Sequence, residues 1–378
     1  MKIGILTFHR ARNYGAVLQC YALFYYLTSL GHDVEVVDYY PQAFRDEYSL
    51  FSKKRFVKSS FKQKIRMIVY FFRVFFIKKK RIEVFDSFVR NKLTLSFNKY
   101  DDTSYQNIRE YDILFFGSDQ IWNPQLTNGF DHVYTGNFNK GETIFVAYAA
   151  STTLSKDTYS DKHLNEVYRT IVNRFDFVST RELEFQNYLN SFKLKEVIQV
   201  LDPVFLLNKE QWSSFSSRPK ETNYLLLYCV PFEKKYVQFA KKIAKEKGLK
   251  LIEIASIERP CYKREVRQTI SPMEFVGYFL NASYVVTSSF HGTAFSIILK
   301  KSFVTIMKGN MFDGRAYNLL QMLGLENRAM GLNTDVLPEE IIYSDLIMNK
   351  LREKIELSLN YIFNAILRGI NKCQRNNL

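Results

Sequence analysis

Short apolar runs alternate with amphipathic stretches from the first residues of the chain onward. The run Lys2–Phe8 predicts a buried strand, and after the loop His9–Asn13 a helical pattern extends from about Tyr14 to Leu30. Gly31 ends that helix, and Val34–Asp38 predicts the next strand. Because strands and helices alternate, the pattern predicts an α/β fold with parallel sheets. Further strands of the first half are predicted at Ile113–Phe116, Ile144–Ala150, Phe175–Thr180 and Val197–Leu201, with a polar helix near residues 160–173.

A second alternating series follows Asp202-Pro203. With 378 residues the chain is longer than one hydrophobic core usually supports, so we expect two domains, 1–205 and 206–335, that face each other across a cleft. In open α/β sheets ligands bind at the carboxyl ends of the strands, which here would line that cleft. The strands of the second series are predicted at Tyr224–Val230, Lys250–Ala255, Tyr284–Thr287 and Ser302–Ile306, and its helices at 233–247, 272–281 and 293–299.

The region 336–378 is predicted to be a C-terminal helical tail. An amphipathic helix must pack its apolar face on something, and we expect this tail to pack back across both domains. The apolar positions recur at helical spacing and are Ile347, Leu351, Ile355, Leu359, Ile362, Phe363 and Ile366.

Positive charge is concentrated in residues 53–92. This helical insertion holds 14 Lys or Arg against two acidic residues, a local charge of +12 out of +15 for the whole chain. Inside it the apolar run Met67–Ile77 is flanked by basic residues on both sides. Such a helix suits an anionic membrane surface or a lipid-linked substrate, and we expect residues 62–81 to make that contact. The alternative is a buried helix with a solvated basic flank.

Composition and missing motifs exclude several classes of protein. No nucleic-acid-binding module can be read, so no nucleic-acid partner is expected. The chain shows no signal peptide and no apolar run near the roughly 18 residues that span a bilayer. Its four cysteines have neither metal spacing nor disulfide density, so we expect a cytoplasmic protein, peripheral on the inner membrane face if the basic helix binds there. Metal, ATP and NAD motifs are lacking, and no cofactor is expected.

Two polar loops of the first half follow predicted strands directly. The loop His9–Ala16 carries arginines and a glycine before a helix start, which suits an anion or a sugar. The loop Gly117–Pro124 contains a carboxylate, two amides and the indole of Trp122. We expect it to bind a sugar, with the ring on the indole face and the hydroxyls held by the polar side chains. A turn held by Asp and Asn hydrogen bonds, with Trp122 in the core, is the alternative.

Two further loops carry an arginine and a histidine. In Val178–Glu182, the guanidinium of Arg181 stands at a strand-to-helix switch and can hold a carboxylate or phosphate through two hydrogen bonds. An ion pair with a neighbouring glutamate is the alternative for Arg181. In Ser288–Thr293, a helix N-terminus offers N–H groups to an anion and His291 can transfer a proton near neutral pH. Alternatively, Ser289 or Thr293 only caps the helix and His291 is structural.

Together these loops resemble the polysaccharide pyruvyl transferase family. The resemblance implies two Rossmann-like domains in a GT-B-like arrangement, with the acceptor side in 1–205 and the phosphoenolpyruvate side in 206–335. It also implies transfer of pyruvate from phosphoenolpyruvate to a sugar of a cell-surface polysaccharide precursor, usually as a ketal, with release of phosphate. The matching pieces are Asn13–Gln19 with Tyr21–Leu23, Gly117–Pro124, Ser179–Glu182, Leu201–Val204 and Ser288–Thr293.

The resemblance places the family's histidine at His291 and its switch-point arginine at Arg181, and both are expected to contact phosphoenolpyruvate. Some members carry an arginine two residues before the histidine, where this chain has Ser289. The donor's second cationic contact then falls to Arg10, Arg12 or Arg315. Asp119 is expected to be the acceptor base or a hydroxyl ligand. The other donor-binding residues expected are Ser288, Ser289, Gly292 and Thr293, and the other acceptor-binding residues are Asn13, Tyr14, Gln120, Trp122 and Asn123.

Two other functions stay open at this stage. A glycosyltransferase that uses a nucleotide-sugar would share the two-domain scaffold, although no clear acidic ribose ligand is visible in the second half. The other open function is that of a non-catalytic scaffold, which binds a membrane or a polysaccharide-assembly partner through the basic helix. Donor binding separates the enzymes, because phosphoenolpyruvate should stabilise one and a nucleotide the other.

Overall fold

The computed structural model describes residues 1–154, 156–307, 313–334, 338 and 340–376. Its strands are β1 Lys2–Leu6, β2 Asp33–Tyr39, β3 Leu95–Tyr100, β4 Ile113–Phe116, β5 Ile144–Ala150, β6 Phe177–Thr180, β7 Val197–Gln199, β8 Tyr224–Cys229, β9 Lys250–Ala255, β10 Val266–Arg267, β11 Tyr284–Thr287, β12 Phe303–Ile306 and β13 Ala329–Met330. Its α-helices are α1 Tyr14–Ser29, α2 Gln42–Tyr48, α3 Lys53–Lys58, α4 Phe61–Lys92, α5 Pro124–Thr127, α6 Lys162–Arg174, α7 Leu183–Asn190, α8 Lys209–Phe215, α9 Lys234–Glu246, α10 Pro272–Asn281, α11 Phe290–Ile298, α12 Asp313–Leu323 and α13 Asp345–Asn376.

Seven of the described strands form one parallel sheet in the order β3-β2-β1-β4-β5-β6-β7. In its centre Ile3 lies opposite Val34 on one side and opposite Ile113 on the other. The strands β4 and β5 are buried along their whole length, which is why they read as continuous apolar runs without alternation. The strand order reverses between β1 and β4.

Six more of the described strands form a second parallel sheet in the order β10-β9-β8-β11-β12-β13. Here Leu226 of β8 lies opposite Ile252 of β9 and opposite Val285 of β11. The order reverses between β8 and β11. Such a reversal leaves a crevice beyond the carboxyl ends of the two central strands, because the connections that follow them run to opposite faces of the sheet.

The two sheets are joined through one hydrophobic core. Tyr14 of α1 stacks on Phe275 of α10 with ring centroids 4.5 Å apart, and meets Tyr228 of β8 edge-on. The Tyr14 hydroxyl donates to the carbonyl of Ile270. The predicted fold, two Rossmann-like units in a GT-B-like arrangement with a C-terminal helix, is confirmed. The domain boundary at residue 205 stays a prediction, and the one at 335–336 lies outside the described residues.

Helix α4 combines an exposed aromatic side with a buried end. Phe61, Phe72 and Phe76 are 80%, 71% and 79% exposed, and they stand among surface lysines and arginines. Arg81 is instead 1% exposed and donates to the backbone carbonyls of Ala255, Gln268, Ser256 and Arg12. Arg81 therefore joins the two halves of the molecule and does not belong to the surface predicted for membrane contact. None of the described helices is long and apolar enough to cross a membrane.

Helix α13 returns to the first sheet. Tyr361 donates to the carbonyl of Ala147 in β5, and the Ser358 hydroxyl accepts the N–H of Leu201. At its other end α13 packs on α12 of the second half. Phe363, which the pattern placed on the packed face, is 60% exposed. The reason is helical geometry: one residue after the fully buried Ile362, the side chain is rotated by about 100° toward solvent.

Candidate active site

A cavity of about 770 Å³ lies where both sheets reverse their strand order. The segments that follow β1, β4, β8 and β11 all reach it, as expected for the carboxyl ends of strands at such a point. Residues predicted for the site and found in its lining are Asn13, Asp119, Gln120, Ser288, Ser289, His291 and Arg315. Other lining residues include Phe8, Ala16, Phe44, Asp46, Glu47, Tyr48, Lys58, Gln125, Asn128, Pro231 and Phe290.

The start of α11 forms one wall of this cavity. The helix begins at Phe290 and not at residue 293 as the pattern predicted, so His291 lies in the first turn. Ser289 caps the helix, since its Oγ accepts the N–H of Gly292 at 3.5 Å. A Cβ at Gly292 would lie 2.1 Å from Oγ1 of Thr287, so this glycine lets the helix pack on β11. The capping alternative for this loop is therefore present together with a histidine in the cavity wall.

Thr293 and Gly292 do not line the cavity, although both were predicted to bind the donor. Thr293 is fully buried, and its Oγ1 lies 3.1 Å from the carbonyl of Ser289 and 2.9 Å from Oγ1 of Thr305. Both residues thus hold α11 against the sheet. Their contribution to the cavity is indirect, because they fix the direction in which the helix start and His291 point.

His291 is the buried titratable group at the cavity wall. Its side chain lines the cavity although the residue is only 8% exposed. A Cβ at Gly15 would lie 2.0 Å from Nδ1 of His291, so the ring rests directly on the backbone of α1. Nε2 lies 3.5 Å from Oδ2 of Asp202 and has no hydrogen-bond partner in the described part of the chain. Nε2 is itself buried, and its contact with Asp202 is electrostatic.

Asp202 is the centre of a buried charged network beneath His291. Its Oδ2 accepts hydrogen bonds from Nη1 of Arg181 at 2.8 Å and from Oγ of Ser118 at 3.1 Å, and its Oδ1 accepts the N–H of Val204. Burial alone would raise the pKa of Asp202, but the neighbouring His291, the charge of Arg181 and the hydrogen bond from the N–H of Val204 lower the pKa well below its usual range. Asp202 thus presents a permanent negative charge to His291.

Arg181, which was expected to contact the donor, belongs to this network and does not line the cavity. Its Nε donates to Oε1 of Glu182 at 3.0 Å, its Nη1 to Asp202, and its Nη2 to Oγ of Ser151 at 3.0 Å. The ring centroid of Phe290 covers the guanidinium at 4.1 Å. With its donors directed at these partners and 5% exposure, Arg181 is not placed to hold a ligand carboxylate. The buried carboxylates of Asp202 and Glu182 accept the hydrogen bonds that Arg181 was expected to donate to a ligand.

The loop after β4 forms the opposite wall. Asp119 has a positive φ of 69°, a conformation that Asp tolerates better than most residues, and it lines the cavity. Its Oδ1 accepts the N–H of Gln120. The Oε1 of Gln120 accepts hydrogen bonds from Nδ2 of Asn123 and from Oγ1 of Thr153, both at 2.8 Å. Asn123 therefore orients Gln120 and caps α5, while Asp119 and Gln120 face the cavity.

Two aromatic residues predicted at the acceptor lie in the core. Trp122 is fully buried, and its Nε1 donates to the carbonyl of Tyr134, so its faces are not available to a sugar. This matches the core alternative for that loop. Tyr14 is also fully buried, against Phe275. Asn13 does line the cavity, and its Oδ1 caps α1 by accepting the N–H of Gly15 at 2.9 Å.

The three candidates for a second donor cation differ in their contacts. Nε of Arg10 donates to Oδ1 of Asp38 at 2.7 Å. Arg12 donates to the carbonyl of Tyr48 and lies 3.9 Å from Asp86. Arg315 lines the cavity, and its Nε is buried without a hydrogen-bond partner in the described ranges.

Asp202 was not among the residues predicted for the site, although it lies in the recognised motif Leu201–Val204. A signal was available, because Asp202 follows the predicted strand Val197–Leu201 in the same way as the other site residues follow theirs. The lining residues of α2, such as Tyr48, had no such signal. Helix α2 follows β2, which lies next to the edge strand β3, and the sequence of α2 carries no motif.

Comparisons with known proteins give one family and a set of distant folds. A family model described as polysaccharide pyruvyl transferase matches residues 13–307. No curated protein matches the sequence. Among similar solved structures, UDP-GlcNAc 2-epimerase from Neisseria meningitidis bound to UDP-GlcNAc is 11% identical over 97% of this chain and 94% of that chain, with a TM-score of 0.48.

Two further solved structures show the same level of similarity. UDP-GlcNAc 2-epimerase from Methanocaldococcus jannaschii is 13% identical over 95% of this chain and 93% of that chain, with a TM-score of 0.45. The heptosyltransferase WaaC of E. coli with ADP is 10% identical over 95% of this chain and 100% of that chain, with a TM-score of 0.39. At such low identity these similarities say nothing about activity.

Proposed function

The chain belongs to the polysaccharide pyruvyl transferase family, and from this membership we propose that it transfers pyruvate from phosphoenolpyruvate to a sugar of a cell-surface polysaccharide precursor. The product is a ketal, and phosphate is released. The observation that carries the proposal is His291, which lines a cavity of about 770 Å³ in the first turn of a helix. A helix N-terminus and a proton donor are what an anionic enol phosphate requires.

The reaction adds one proton and exchanges C–O bonds at a single carbon. Protonation of the methylene carbon of phosphoenolpyruvate turns it into a methyl group and leaves an oxocarbenium-like centre at the adjacent carbon. A sugar hydroxyl attacks that centre and loses its proton, the bond to the phosphate oxygen breaks, and a second sugar hydroxyl closes the ketal with loss of its own proton. One proton is consumed and two are released, of which the departing phosphate can take one.

The residues divide these tasks between the two walls. His291 binds the phosphate and acts as the general acid, and Ser288, Ser289 and the helix start supply fixed electrostatics for the developing charge. Asp202 and Arg181 act through His291, because the Asp202 carboxylate lies 3.5 Å from Nε2 and Arg181 holds that carboxylate in place. Asp119 is the acceptor base or hydroxyl ligand.

The wall that carries Asp119 offers groups that bind sugar hydroxyls. Asp119 lines the cavity together with the amides of Gln120 and Gln125. Carboxylates and amides bind hydroxyl groups well. A hexose or an N-acetylated amino sugar is therefore the acceptor that fits this proposal.

From the exposed aromatic side of α4 we also propose that the protein acts at a membrane surface. Phe61, Phe72 and Phe76 are exposed among basic residues, a combination that suits an anionic membrane surface with a lipid-linked acceptor. Ser52 lines both the large cavity and a groove of about 400 Å³ along α4, so the two are neighbours. The acceptor's lipid would lie on the same side as α4.

The test is phosphate release from phosphoenolpyruvate by the purified protein. Acceptors are nucleotide-linked and lipid-linked galactose, glucose, mannose and N-acetylmannosamine, with His291→Ala as the inactive variant. Acceptor-dependent release that is lost in His291→Ala, with an unchanged melting temperature, supports the proposal. Release that persists in the variant removes His291 from the mechanism. Stabilisation by UDP or CMP but not by phosphoenolpyruvate would favour a nucleotide-sugar glycosyltransferase.

A further inference from the structure

Resting on the proposed donor, we infer that Arg315 is the side chain that binds the anionic end of phosphoenolpyruvate. Arg315 belongs to α12, which packs beside α11. It lines the same cavity as Ser288, Ser289 and His291. The helix start, the histidine and this guanidinium therefore all lie along one wall, contributed by the second sheet.

In the described part of the chain, no hydrogen bond or ion pair is found for the guanidinium of Arg315. The side chain is partly buried, and its Nε is fully buried without a partner there. Burial of a charged group is unfavourable unless a partner replaces the lost hydration. Proteins keep such a group where a ligand supplies the missing charge, and the planar guanidinium matches a carboxylate or phosphate through two hydrogen bonds.

The charges around Arg315 have both signs. Its pKa is lowered first by burial and then by the nearby charge of Arg181, while Glu182 and Asp119 act in the opposite direction. An arginine remains protonated at neutral pH despite such a shift, since its ordinary pKa exceeds 12. Arg181 is already paired with Asp202 and Glu182, so the charge of Arg315 is the one that an incoming anion can neutralise.

The other cations near the cavity fit this role less well. Arg10 and Arg12 do not line the cavity; Arg10 is paired with Asp38, and Arg12 donates to the carbonyl of Tyr48. Lys58 lines the cavity but is exposed, so water already solvates its charge. Arg315 thus takes the place of the arginine that some relatives carry where this chain has Ser289.

The experiment compares Arg315→Gln and Arg315→Lys with wild type and with Arg352→Gln. Arg352 is an exposed residue of α13, so its replacement removes the same charge away from the cavity. The melting temperature is measured without ligand and with phosphoenolpyruvate, UDP or inorganic phosphate, and KM and kcat are measured by phosphate release. We expect Arg315→Gln to raise KM for phosphoenolpyruvate about 10- to 100-fold, the effect of losing a hydrogen bond to a charged group.

Further expected results separate ligand binding from structure. Without ligand, Arg315→Gln should melt no lower than wild type, since the side chain makes no ion pair in the described ranges that the substitution could break. Phosphoenolpyruvate should stabilise wild type and Arg352→Gln, but Arg315→Gln only weakly, with Arg315→Lys between them. A purely structural role would instead lower the melting temperature of the unliganded variant.

The remaining outcomes distinguish this inference from the proposed function. If phosphoenolpyruvate stabilises wild type and Arg315→Gln equally, Arg315 is not the donor site and the proposed function is unaffected. If wild type responds to UDP or phosphate but not to phosphoenolpyruvate, and Arg315→Gln loses that response, the anion site stands and the proposed donor is wrong. A wild type that responds to none of the three anions overturns both.

Discussion

The imidazole of His291 rests on Gly15, and a Cβ at position 15 would lie 2.0 Å from Nδ1. His291 follows a strand of the second sheet and Gly15 lies in the first helix of the first half, so the two halves meet at the proposed general acid itself. Asp202, also of the first half, lies 3.5 Å from Nε2 on another side of the ring. The position of the imidazole is therefore set by both halves together.

Gly15→Ala should reduce phosphate release by about 100-fold, because the added methyl group displaces His291 and a shift of about 1 Å in a catalytic group can cost that much. The overpacking should lower the free energy of unfolding by about 1–3 kcal/mol. Steady-state kinetics and urea unfolding measure the two effects. The control is Gly331→Ala, where a Cβ meets nothing closer than 3.8 Å. Normal kcat in Gly15→Ala would show that the ring position is not critical.

Arg181→Met should lower stability as well as activity. It leaves Asp202 and Glu182 buried without their cation, and removing one partner of a buried ion pair costs about 3–5 kcal/mol. Urea unfolding measures this, with the exposed Arg352→Met as the control, for which we expect less than about 0.5 kcal/mol. An Arg181→Met protein as stable as wild type, but unable to bind phosphoenolpyruvate, would restore Arg181 as a direct donor ligand.

Asp202 should make stability depend on acid pH. Its pKa is held low in the folded protein, while the unfolded value is about 3.9, so its contribution is fully present above that value and is lost as pH falls toward the folded pKa. The difference in unfolding free energy between wild type and Asp202→Asn should thus be constant above about pH 5 and shrink below about pH 4. Urea unfolding from neutral to acid pH measures it. A difference that stays constant to the lowest pH would contradict the ionised network.

Asp119→Asn should slow transfer without weakening donor binding. The amide keeps the size of the side chain but cannot accept the hydroxyl proton, and general base catalysis contributes about 100- to 10,000-fold. We expect kcat to fall within that range, while stabilisation by phosphoenolpyruvate stays as in wild type. Asn128→Asp, on the same lining, is the reverse exchange and serves as control. Unchanged kcat in Asp119→Asn would leave Asp119 as a hydroxyl ligand only.

Charge reversal on the exposed side of α4 should release the protein from anionic vesicles. Lys62→Glu with Lys79→Glu is the variant, because both residues are exposed, and Arg81 is left intact because it joins the two halves. Each basic residue near such a surface contributes about 1 kcal/mol, so sedimentation with phosphatidylserine-containing vesicles should weaken more than about tenfold. The matched control is Lys241→Glu with Lys245→Glu on α9, both exposed. Equal sedimentation of both variants and wild type would remove the membrane role.

The central strands could be predicted closely because burial on both faces makes them continuous apolar runs. Tyr284–Thr287 and Ile144–Ala150 were predicted with the bounds that they have. The strand Leu95–Tyr100 was missed because four of its six residues are not buried, and Val266–Arg267 was missed because two residues carry no pattern. Edge strands depend on their neighbours more than on their own sequence.

The location of the site was also predictable, because loops after the central strands must meet where the strand order reverses. Which side chains face the cavity could not be predicted, because the orientation of a side chain depends on contacts with residues far along the chain. Trp122 turns inward to Phe175 and Phe185, and Arg181 turns inward to Asp202, 21 positions later. Local spacing does not reveal such partners, so both residues were taken for ligand contacts.

Helix α13 covers strands that are synthesised much earlier. Tyr361 donates to a carbonyl that lies 214 positions before it in the chain. During translation the part of the first sheet around β5 that α13 contacts therefore stays uncovered until α13 emerges. Chaperones bind nascent chains that expose apolar surface in this way. A premature stop before Asp345 would therefore yield a product that aggregates, although both sheets have been synthesised.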